Sequence, residues 1–102
     1  FADAEQFVEN QDYENAKRIL DQILREYPQL EEARYRREKL YDMIIPIART
    51  SYQEALIYQN INNIDGALMS LKRTRDLLTN VDDAVAEEYY KKATQRLKRL
   101  AR

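Results

Sequence analysis

Two pairs of adjacent acids, Asp82-Asp83 and Glu87-Glu88, are the side chains here whose type suits a divalent cation or paired-carboxylate chemistry. Their spacing does not. Neighbours on a helix point about 100° apart, so neither pair converges on one atom. The chain has no histidine and no cysteine. That removes the commonest general base, every imidazole triad and every thiolate metal site. A single glycine leaves no phosphate-cradling loop. No catalytic residue, cofactor site or metal site is expected, and the chain does not read as an enzyme.

The remaining chemistry is charge and aromatic surface. Residues 1–32 carry nine acids and three bases. Residues 91–102 carry Lys91, Lys92, Arg96, Lys98, Arg99 and Arg102 and no acid. Such a tail could meet nucleic acid or an anionic membrane surface. A net charge of −1 and the lack of a basic aromatic motif weigh against nucleic acid. The tail reads instead as a solvated helix end whose charge suits the helix dipole. Arg34, Arg36 and Arg37 form a smaller cluster, expected to pair with Glu31, Glu32 and Glu38. Of eight tyrosines, Tyr13, Tyr41, Tyr58 and Tyr89 are in phase with the apolar positions. Tyr35, Tyr52 and Tyr90 are the better candidates for a binding surface, where tyrosine is enriched.

These residues need a scaffold, and composition points to helices. With one glycine and two prolines, 102 residues cannot supply the turns of an all-β fold. One domain over 1–102 is expected, all-α, with five or six helices. The apolar spacing predicts helices near 1–10, 13–27, 31–61, 64–79 and from about Asp82 onward. Asp12 and Asn63 are expected N-caps, because a short side-chain oxygen can accept from free backbone N–H groups. Pro28 stops the second helix. The third carries its stripe through Pro46 without losing phase. It reads as one long helix kinked there, with a break at Ile45-Pro46 as the alternative. No stretch approaches a membrane span. Asp3 and Glu5 interrupt any signal peptide, and a start on Phe1 reads as a fragment of a larger protein. Localisation stays open.

Ala4, Phe7, Ala16, Leu20 and Ile23 recur 51 residues later as Ala55, Tyr58, Ala67, Leu71 and Thr74. Each set holds a short polar turn between its second and third members, Asn10-Gln11-Asp12-Tyr13 and Ile61-Asn62-Asn63-Ile64. The run Asp12-Tyr13-Glu14-Asn15-Ala16, followed by Pro28, is similar to the second-helix signature of tetratricopeptide repeats. Ala4 and Phe7 stand at that family's small and aromatic first-helix positions. The second set keeps Ala55, Tyr58, Ala67 and Leu71. It departs at Thr74, and at Thr79 where a proline would stand. Its offset of 51 replaces the family's repeat of about 34.

The resemblance implies antiparallel helix hairpins and a protein–protein interaction module that holds a peptide or helix in a groove of first helices. It places Glu5, Glu9, Arg49, Tyr52, Leu56, Gln59 and Asn60 along that groove. The acids argue against the carboxylate clamp some members use. Two other roles remain: a structural assembly or spacer domain that self-associates, and weak nucleic-acid binding through the basic C-terminal helix.

Overall fold

The computed structural model describes residues 1–101, so Arg102 of the basic tail lies outside the described residues. The chain is all-α. Five helices make it up among the described residues: α1 (Ala2–Glu9), α2 (Tyr13–Glu26), α3 (Glu31–Asn60), α4 (Ile64–Leu78) and α5 (Ala84–Leu100). They form two compact units, Phe1–Met43 and Ile44–Arg102, and the division falls within α3.

Unit 1 holds α1, α2 and the first half of α3. Between α1 and α2 the chain reverses in a Schellman turn. Gln11 takes the left-handed conformation at φ 59°. Its N–H donates to Val8 O at 3.0 Å, and Asp12 N–H donates to Phe7 O at 2.8 Å. Both bonds satisfy carbonyls that the end of α1 would otherwise orphan. Asp12 then caps α2 as expected, its carboxylate accepting from Asn15 N–H. Ala4, Ala16, Leu20, Leu24, Ala33 and Leu40 are buried. Ala16 and Ala33 are wholly inaccessible, and their lack of bulk permits close helix approach.

Two ion pairs tie α3 to the hairpin. Arg36 pairs with Glu32 on its own helix at 3.0 Å and with Glu5 on α1. Arg37 reaches Asp21 on α2 at 3.9 Å. The sequence points Arg36 only at its neighbours. Glu5 is distant in sequence and becomes a partner only through the fold. Asp21 shows what half-burial does to a carboxylate. Desolvation pushes its carboxyl above the usual range, although Arg37, Lys17 and Arg25 pull the other way.

Unit 2 holds the rest of α3 with α4 and α5. Its first turn repeats the Schellman geometry. Asn62 is left-handed at φ 60°, its N–H donates to Gln59 O at 3.1 Å, and Asn63 N–H donates to Tyr58 O at 2.8 Å. Asn63 caps α4 by accepting from Gly66 N–H at 3.0 Å. Gly66 has a packing reason to be glycine. A Cβ there would stand 2.9 Å from Tyr58 Cδ1 and 3.0 Å from its Cγ. The ring of Tyr58 lies on the first turn of α4.

The core of unit 2 joins Tyr52, Ala55, Leu71, Ala93 and Leu97, with Leu56, Leu68, Tyr89 and Leu100 packed against it. Thr74 is fully buried, and its hydroxyl donates to Ser70 O at 2.9 Å within its own helix. Ser51 of α3 donates to the same carbonyl at 2.9 Å, so the buried hydroxyls are paired. A hydroxyl at 74, where the first hairpin has Ile23, therefore costs no orphaned polar group. The last helix begins slightly later than its spacing predicts. Asp83 is its cap, accepting from Val85 N–H at 2.9 Å and Ala86 N–H at 3.0 Å.

α3 is a single helix through Pro46. Proline removes one backbone donor and crowds the preceding turn. The ring is exposed, while Leu40, Ile44 and Ala48 on the opposite stripe are buried.

Candidate functional site

In unit 1, α1 and the first half of α3 leave an open groove of about 310 Å³. Ala4, Val8, Leu20, Leu40 and Met43 supply its apolar lining. Ala4, Leu20 and Leu40 belong to the core and are almost inaccessible, whereas Met43 is 42% exposed. Its edges are charged and opposite in sign. α1 contributes Glu5 and Glu9, one turn apart; α3 contributes Arg36 and Lys39. Helical periodicity puts each pair on one edge, because three or four residues complete a turn.

Glu5 and Arg36 pair across the groove. The hydrogen bonds that Arg36 donates to the Glu5 and Glu32 carboxylates raise the guanidinium's already high pKa further, so the group stays charged. Arg36 also stacks over Phe1, 4.8 Å from the ring centroid. One turn on, the edges carry no ion pair across the groove. Neither Glu9 nor Lys39 forms an ion pair among the described residues. Lys39 Nζ lies 5.4 Å from the ring of exposed Tyr35.

The corresponding face of unit 2 lies between the second half of α3 and α5, and it is filled. Tyr52, the counterpart of Phe1, is 7% exposed. Its ring meets Tyr89 edge-on, with centroids 5.6 Å apart. Its hydroxyl accepts from Arg96 Nε at 2.8 Å. Arg96 Nη1 donates onward to Gln59 Oε1 at 2.9 Å. Arg49 and Lys92 stand over the Tyr89 ring at 5.6 and 5.1 Å from its centroid. Glu88 accepts from Lys92 at 3.0 Å, and that hydrogen bond is the main cause of the raised pKa of the amine. Aromatic faces and cations attract here at a partly dry surface.

The seven residues expected along one groove thus divide. Glu5 and Glu9 border the open groove of unit 1. Arg49, Tyr52, Leu56, Gln59 and Asn60 belong to unit 2. There Tyr52 and Leu56 pack in or against the core, Gln59 is held by Arg96, and Arg49 and Asn60 are exposed. Tyr52 is thereby a core residue with a hydrogen-bonded hydroxyl. Its spacing from Ala48 and Ala55 placed it on the buried face, but the neighbour that covers it, Tyr89, comes from a distant helix.

Sequence reasoning did not place Arg36, Lys39, Leu40 and Met43 along a groove, where they form its α3 side. Arg36, Leu40 and Met43 follow the spacing of one helical face, a signal present in the chain. Nothing local shows that α1 lies opposite. Asp83 is committed to capping α5, so the acidic pairs near 82–88 are not all available for an ion. No protein-family model, curated protein or solved structure matches this chain.

Proposed function

We propose that this chain is a tetratricopeptide-like interaction module and that the groove of unit 1 receives a peptide or helix of a protein partner. The open groove with an apolar lining and charged edges carries this reading. Its volume lies at the lower end of ordinary ligand sites, and its composition suits segments that bury apolar side chains. Two hairpins with the same Schellman turn and the same capping bond support the tetratricopeptide-like arrangement. In this reading Pro46 bends α3, because a proline inside a helix opens the preceding turn.

The test uses a displayed peptide library selected on the chain. Selected peptides are expected to lose at least tenfold in affinity against Met43→Glu, with helix content and thermal midpoint unchanged. Tenfold corresponds to about 1.4 kcal/mol, within reach of one buried apolar contact replaced by a charge. Equal binding to both forms places the site elsewhere and defeats the proposal.

A further inference from the structure

The groove of unit 1 also limits what can fill it. This step rests on reading that groove as a binding site. α1 has eight residues, so at about 1.5 Å per residue it walls roughly 12 Å of groove. A second folded copy seated there would bury far less than the roughly 800 Å² per partner of a standard interface. A slender segment suits the space better: about two turns of helix, presenting one or two apolar side chains to Val8 and Met43.

Charge then defines the segment's flanks. One wall carries Glu9 and the other Lys39, neither with an ion-pair partner, while Glu5 and Arg36 satisfy each other one turn away. An occupant running between these walls meets a carboxylate on one side and an ammonium on the other. We infer that the unit 1 groove selects a short amphipathic helix with a basic residue on one flank and an acidic residue on the other, matching Glu9 and Lys39. A helix basic on both flanks meets Lys39 with like charge. A helix acidic on both flanks meets Glu9 with like charge. Such mismatches discriminate between partners as effectively as attraction does. The two walls also set the direction of the bound helix, since reversing it in the groove exchanges its flanks.

Three synthetic helical peptides of about 15 residues test this, long enough to hold helix when Ala-rich. They share one Leu/Met stripe and differ only in their flanks: Lys opposite Glu, Lys on both, or Glu on both. Fluorescence anisotropy with the full chain at low salt is expected to rank the mixed-flank peptide at least fivefold tighter than either other. Glu9→Lys makes both walls basic and is expected to switch preference to the all-Glu peptide. Lys39→Glu is expected to switch it to the all-Lys peptide. Both positions are exposed, so each variant should fold, with circular dichroism as the check. Equal binding of the three peptides, lost with Met43→Glu, overturns the charge selection and leaves the groove standing as an apolar site. Binding of none of them defeats the groove reading too. Self-association in sedimentation that Met43→Glu abolishes makes the occupant a second copy and overturns the inference.

Discussion

The segment α1–α2 and the segment from the second half of α3 into α4 share a turn and differ in what covers them. Gln11 and Asn62 adopt the same left-handed conformation, and Asp12 and Asn63 place the same capping bond. The faces beside them diverge. In unit 2, Tyr52 meets Tyr89 edge-on and accepts a hydrogen bond from Arg96, and these side chains fill the space between α3 and α5. In unit 1, the α3 side offers Lys39, Leu40 and Met43, and a groove stays open. A repeated backbone turn therefore does not dictate a repeated surface. A few large side chains decide whether the face beside a hairpin becomes core or remains available to a partner.

Replacing the two matched aromatic residues gives the most severe test of that contrast. Tyr52→Ala is expected to cost about 3 kcal/mol or more, as for other buried aromatic residues, and to strand Arg96 and Gln59. Phe1→Ala removes a ring 36% exposed beneath Arg36 and is expected to cost no more than about 1 kcal/mol. Urea denaturation of both variants measures the difference. Comparable losses would erase the distinction between a filled face and an open one.

A smaller effect is expected at the turn of unit 2. Gly66→Ala gains helix propensity of up to about 1 kcal/mol but presses a methyl group into the root of the Tyr58 ring, an overpacking worth about 1–3 kcal/mol. The expected result is a net loss of about 1 kcal/mol. In unit 1 the matching residue is Asn15, which already carries a Cβ and donates from its amide to Asp12 at 2.7 Å. A gain in thermal midpoint for Gly66→Ala would mean that Tyr58 moves aside freely and that the two turns pack alike.

The smallest effect concerns Asp21. Its folded-state carboxyl is raised by burial, so the folded chain binds a proton more readily than the unfolded chain. This contribution favours folding below the unfolded pKa and fades as pH rises through the raised folded value. Asp21→Asn is expected to remove that decline in the acid range. At neutral pH it should change stability by no more than about 1 kcal/mol, because loss of the Arg37 pair offsets relief from desolvation. Stability profiles of both proteins from pH 3 to 7 check this. A steeper decline in the variant would show that the Arg37 attraction outweighs burial.

Much of the scaffold was legible. Asp12 and Asn63 announced helix starts because capping is local, needing one oxygen and backbone N–H groups a few residues away. Ala16, Leu20, Ala67 and Leu71 announced buried faces because helical spacing alone brings them into line. Pro46 left two readings open. The structure keeps α3 whole, with Leu40, Ile44 and Ala48 buried on the face opposite the exposed proline. The groove was half legible. Glu5 and Glu9 were placed there by the family resemblance, but Lys39 and Met43 were not.

By itself, then, the sequence determined that the chain is helical, where its turns fall, that Asp12 and Asn63 cap two of its helices, and that no imidazole or thiolate chemistry is available. All of these follow from composition or from interactions within one turn of chain. Tertiary structure decided which charges meet and which aromatic residue is covered. Glu5 finds Arg36, and Tyr52 disappears beneath Tyr89 and Arg96, because helices far apart in sequence are packed side by side. Such pairings depend on helix packing across the fold, and one-dimensional spacing carries no record of it.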